Sequence, residues 1–115
     1  MENEEKLCDL TFLRSFTAND LTRMNRYIGM FLDNAPKLLQ QIENGRIAGD
    51  WQTVKIAAHS LKPQLNYMGI KKLQDVITNI EFFAGAGTNF DQIHSLSQTL
   101  QTVCAEAMIE LKTYL

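Results

Sequence analysis

Residues 21–45 read LTRMNRYIGMFLDNAPKLLQQIENG, and the spacing of their apolar side chains decides the fold. Leu21, Met24, Ile28, Phe31, Ala35, Leu38 and Ile42 recur at alternating intervals of three and four. That is the repeat of one helix face; a half-buried strand would alternate every second residue. The stretch therefore predicts a long amphipathic helix. Pro36 interrupts it on the polar side, so a bend is expected rather than a break.

Working upstream, Thr17-Ala18-Asn19-Asp20 supplies side chains able to cap this helix. A short helix is expected before it, with Asp9 as N-cap and Leu10, Leu13 and Phe16 facing inward. The charged residues 1–8 are expected to be frayed. Working downstream, Gly45 and Gly49 mark the helix end, and Asp50 is a good N-cap for the next segment. From Asp50 to Met68, Val54, Ala57, Ala58, Leu61, Leu65 and Met68 form one stripe, which Gly69 ends by permitting a left-handed cap. A further helix is expected from Lys71 to Phe83, burying Leu73, Val76, Ile77, Ile80 and Phe83. The loop from Ala84 to Asn89 then turns the chain. A last helix carries Ile93, Leu96, Leu100, Val103, Ala107, Leu111 and Tyr114. Short connections force successive helices to run in opposite directions. The expected fold is all-α: an antiparallel up-down four-helix bundle over residues 9–115, with a short extra N-terminal helix.

Composition narrows the function. The 115 residues fit one domain, with 45% hydrophobic and 21% charged side chains. Eleven basic against 13 acidic residues leave a net charge of −2, unlike the concentrated basic surface that nucleic acid requires. No run approaches the ~18 apolar residues of a membrane span, and the acidic N-terminus is unlike a signal peptide. Cys8 and Cys104 lie far apart without C-x-x-C spacing, which reads as two reduced thiols in a cytoplasmic protein.

Bundles host unrelated activities, so function has to be read from a site. On a helical projection of residues 50–68, His59 lies about 140° from the centre of the apolar stripe. Lys55, Lys62, Pro63 and Asn66 share that outer side. A core histidine would sit within the stripe. Lys62, three residues on, can bring its ammonium beside the imidazole. A cation there would neutralise oxygens of a phosphoryl group on the ring, and histidine is a competent covalent nucleophile. Alone, His-x-x-Lys is a weak signal, and on an arbitrary helix a solvated surface histidine without a role is the favoured reading.

The wider segment carries more. His59-Ser60-Leu61-Lys62-Pro63, followed six residues later by Gly69, resembles the H-x-L-K-G signature of histidine phosphotransfer (HPt) domains. Phe31 to Leu39 looks like that family's second helix, and Ala48-Gly49-Asp50-Trp51 like its turn into the histidine helix. The pattern can be followed from about residue 10 to 114. The resemblance implies a phosphorelay intermediate. His59 would exchange a phosphoryl group through Nε2 with the aspartate of a response-regulator receiver domain, and Lys62 would contact the phosphoryl oxygens. Glu81 occupies the place where members hold the other imidazole nitrogen, 22 residues after the histidine. The same position suits a solvated boundary glutamate equally well, and Gln74 is another neighbour able to set the tautomer. Members usually carry glycine where this chain has Pro63, which bears on the partner more than on the chemistry.

A carrier of this kind is no enzyme and holds no cofactor or metal of its own; the receiver supplies Mg2+ and the aspartate. The expected partners are a receiver domain, a hybrid histidine kinase, or both, met by a monomer through Lys55, Ile56, Pro63, Asn66 and Tyr67. The alternative is a non-phosphorylated helical adaptor that binds a receiver or kinase domain. A bundle enclosing a small cofactor is disfavoured by the outward position of His59, and His94 shares no ligand-like spacing with it. Trp51 and the methionines read as packing.

Overall fold

The computed structural model describes residues 6–115. Five α-helices follow in order: α1 Thr11–Phe16, α2 Leu21–Ala48, α3 Trp51–Tyr67, α4 Gln74–Ala86 and α5 Phe90–Lys112, with a 3-10 turn Lys71–Leu73 leading into α4. No strand occurs among the described residues. α2 packs on α3, α3 on α4, α4 on α5, and α5 returns to α2, closing a four-helix ring. The short links after α2, α3 and α4 make it up-and-down, as the loop lengths require.

The apolar stripes meet in one core. Phe31, Val54, Leu61, Leu65, Ile77, Ile80, Ile93 and Leu100 are all essentially without solvent exposure. The α2 stripe differs from the sequence reading at two places. Leu21 is exposed, because α2 has 28 residues and α3 only 17, so the first turns of α2 outrun the helix they would bury against. Leu39 is buried while Leu38 is half-buried, since a 3.6-residue repeat places both near the stripe. α2 runs unbroken through the exposed Pro36. Asp20 caps it, accepting from the Arg23 N–H.

Three boundary expectations are corrected. Gly45 does not end α2 but lies inside it, where a Cβ would come 2.9 Å from Val54 Cγ2; it allows α3 to approach closely. The helix stops at Gly49, in the left-handed conformation. The expected loop from Ala84 is shorter, because α4 continues to Ala86 and Gly87 caps it. Near the N-terminus, Leu10 rather than Asp9 takes the cap position of α1, though the Asp9 carboxylate accepts from the Thr11 N–H. Leu10 and Leu13 are buried as expected, whereas Phe16 is exposed.

Residues 1–5 of the stretch expected to be frayed lie outside the described residues, but Leu7 and Cys8 are held. Their N–H groups donate to the two oxygens of the Glu110 carboxylate at 2.8 and 3.1 Å. The Asp9 N–H then donates to the Gly69 carbonyl at 3.1 Å. Gly69 has φ +64°, and a Cβ there would collide with the Asp9 backbone. Gly69→Ala is therefore expected to lower stability by about 2 kcal/mol or more, from left-handed strain plus displacement of the strap. Chemical denaturation measures this; a loss below about 0.5 kcal/mol would show that the strap contributes little.

Cys8 and Cys104 are free and buried. Burial pushes both thiols up to about 12, leaving them protonated and unreactive.

Candidate functional site

α3 presents His59 by burying its opposite face. Asp50 starts the helix, accepting from the Thr53 N–H at 3.2 Å and the Thr53 hydroxyl at 2.6 Å. Val54, Ala57, Ala58, Leu61 and Leu65 then commit one side to the core. The His59 side chain is left 72% exposed. Pro63, four residues on, is also exposed, and α3 continues through it to Tyr67.

α4 supplies the counterpart. Ile77, Ile80 and Ala84 fix its inner face, which leaves Glu81 at the boundary with 19% of its side chain exposed. From there its carboxylate reaches across to α3. Glu81 Oε2 lies 2.7 Å from His59 Nδ1. Glu81 Oε1 lies 2.8 Å from Lys62 Nζ. Oε1 is out of contact with water and lacks an aligned hydrogen-bond donor, so ionic attraction to Lys62 is what offsets its burial. Glu81 is thus paired rather than solvated in this structure, and the Gln74 amide is turned to the Ile70 carbonyl.

The electrostatics fix the proton. The Lys62 ammonium holds the Glu81 carboxyl below its ordinary value of 4.5, against the opposing effect of partial burial and with further help from His59. An ionised carboxylate only accepts, so the His59 Nδ1 must carry the hydrogen and donate it to Oε2. In a ring that carries a single hydrogen, Nε2 is then the nitrogen without one. Because the folded-state value is depressed, the interaction adds stability above the unfolded value and loses it as pH falls through the folded one. A carboxyl titration followed by NMR is expected to place the Glu81 midpoint below 4.5, with the His59 contact persisting down to that midpoint. A midpoint above 4.5 would rule out Lys62 as its dominant neighbour.

The other residues singled out in the sequence divide between two sides of His59. Lys55 lies on the α4 side, its stem against Gly85, and shares a shallow groove with Lys62, Glu81 and Phe82. Pro63, Asn66 and Tyr67 lie toward α1 and line a shallow cleft with Phe12. Ile56 and Phe82 are exposed apolar side chains. His94 is exposed on α5, away from the His59 face. No cluster of metal-ligating side chains occurs among the described residues.

The sequence reading missed two features here. One is the Lys62–Glu81 ion pair, which depends on how far apart α3 and α4 sit. The other is an aromatic cluster beside the α3 face: the Phe12 and Phe16 rings each lie within 5.8 Å of Tyr67 in tilted contact, and Phe16 meets Tyr27 edge-on at 5.5 Å. The i, i+4 spacing of Phe12 and Phe16 was the available signal, since it marks a second apolar face on α1.

Fold and site together define a class of protein: a helical bundle that displays a histidine on its surface and steadies it from a neighbouring helix with a carboxylate. The family model of the Hpt domain matches residues 26–113, and the chain belongs to this family. It is thus a phosphotransfer domain of two-component signalling; domains of the family are phosphocarriers, and they interact with receiver domains and kinases. Among curated proteins and among solved structures, no match to the chain was found. No described helix is long and apolar enough to cross a membrane.

Proposed function

We propose that His59 is the phosphoacceptor and exchanges its phosphoryl group with the aspartate of a response-regulator receiver domain. In the accepting direction, the Nε2 lone pair attacks phosphorus. The bond from phosphorus to the aspartyl oxygen breaks, and the electron pair leaves with the aspartate. The ring keeps its Nδ1 hydrogen, and Glu81 balances the positive charge that develops as the N–P bond forms. Lys62 turns from Glu81 Oε1 toward the phosphoryl oxygens, which carry more negative charge. The Mg2+ of the reaction belongs to the receiver.

One observation carries the reading: the ring is 72% exposed while Nδ1 is bound to Glu81 at 2.7 Å, so Nε2 is free toward a partner. The exposed residues Lys55, Ile56, Pro63 and Asn66, with the edge of Tyr67, surround it as the docking face.

Incubation with a phosphorylated receiver domain tests this. Acid-labile, base-stable phosphate is expected on the chain, mapped by mass spectrometry to His59. Receiver binding without any transfer would favour the adaptor, and phosphate on another residue would overturn the assignment.

A further inference from the structure

We infer that Glu110, at the far end of α5, is a positioning residue for receiver recognition: its grip on the Leu7 and Cys8 amides sets α1 so that Phe12 and Phe16 complete the docking face. This inference rests on the receiver exchange proposed above.

α1 has six residues, too few to hold helical structure by itself. Its position is imposed from both ends of a strap. Glu110 takes two consecutive backbone N–H groups, and the Asp9 N–H donates to the Gly69 carbonyl at the end of α3. Lys71 adds an ion pair to Asp9 at 3.5 Å. Leu10 and Leu13 are buried, which orients the helix and turns Phe12 and Phe16 outward at 52% and 44% exposure. Those rings lie against Tyr67, which is on the same helix as His59.

The occupant follows from distance. Tyr67 is eight residues beyond His59, roughly 12 Å along the helix axis. A standard interface covers about 800 Å² per partner, a disc of roughly 16 Å radius. A receiver footprint centred on His59 therefore covers Pro63 and Asn66 and the cleft they share with Phe12, with Phe16 at its rim against Tyr67. Exposed aromatics of this kind act as interface anchors. The family match begins at residue 26, so the strap and α1 lie outside what the family model describes. They are suited to distinguishing one receiver from another.

The test measures KM and kcat for phosphoryl transfer from a phosphorylated receiver domain, alongside His59 phosphorylation by phosphoramidate, which needs no docking. A Phe12→Ser/Phe16→Ser double variant keeps Leu10, Leu13 and the Glu110 grip. It is expected to raise KM at least tenfold, with kcat and the phosphoramidate rate unchanged. Glu110→Ala should raise KM in the same direction. Adding it to the double variant should raise KM no further, because it acts through the same rings. A merely structural Glu110 would lower melting temperature yet add its own separate effect on KM. An unchanged KM in the double variant, or additive effects in the triple variant, would overturn the inference. If the wild-type chain is loaded by phosphoramidate but exchanges with no receiver, the receiver reading itself fails and this inference falls with it.

Discussion

The His59→Gln chain is expected to accept no phosphate from a phosphorylated receiver or from phosphoramidate, while its helicity and melting temperature stay close to wild type. Glutamine has a comparable reach and polarity but lacks a nucleophilic ring nitrogen, so the bond to phosphorus cannot form. Folding is spared for two reasons. The side chain is 72% exposed and has little packing to lose. Glu81, its hydrogen-bond partner, keeps Lys62 at 2.8 Å, so no buried charge is orphaned. A surface change of this kind costs within about 0.5 kcal/mol, which is a melting shift of roughly 2–4 °C. Radiolabelled phosphate incorporation and a thermal melt by circular dichroism check both halves. Residual labelling would place the acceptor elsewhere, and a large loss of stability would make His59 a structural residue.

How legible each part was depended on whether it is set by periodicity or by distance. The α3 stripe from Val54 to Leu65 was readable because a helix that commits one face to the core must expose the opposite one. The outward histidine followed from the same projection. Glu81 was only half legible. The pattern put it at the edge of its stripe, but no sequence shows how far α4 lies from α3, and that separation lets one carboxylate serve both His59 and Lys62. Leu21 was misread because periodicity ignores the end of the neighbouring helix. Phe16 was misread because a helix of six residues has too few positions to define a stripe, and Leu10 and Leu13 already fill its inner side. The Glu110 grip joins residues 103 and 102 positions apart in the chain through backbone N–H groups, which leave no mark in side-chain chemistry.

Lys62→Ala is expected to slow transfer by about 10-fold to 1000-fold, corresponding to ~1.4–4 kcal/mol of transition-state stabilisation. Two losses combine. The phosphoryl oxygens lose the nearby cation, and Glu81 Oε1, shielded from water, loses the ammonium at 2.8 Å that offsets its burial. With the largest influence holding the Glu81 carboxyl down removed, its titration midpoint should rise, because the remaining burial favours the protonated form. A protonated Glu81 no longer fixes the Nδ1 hydrogen, so the Lys62→Ala defect should deepen as pH falls toward that raised midpoint. Lys62→Arg, which keeps the charge, should retain much more activity. Glu81→Ala should cost less than Lys62→Ala, roughly 3–10-fold, since it orients the ring without touching phosphorus and a free imidazole still samples the required tautomer. Rapid-quench measurement of transfer from the same phosphorylated receiver, run across pH for all three variants, gives the ranking. A Lys62→Ala rate within twofold of wild type would remove the lysine from the phosphoryl site. A Glu81→Ala defect larger than that of Lys62→Ala would instead make the carboxylate the main electrostatic contributor, reversing the roles assigned to the two ends of the ion pair.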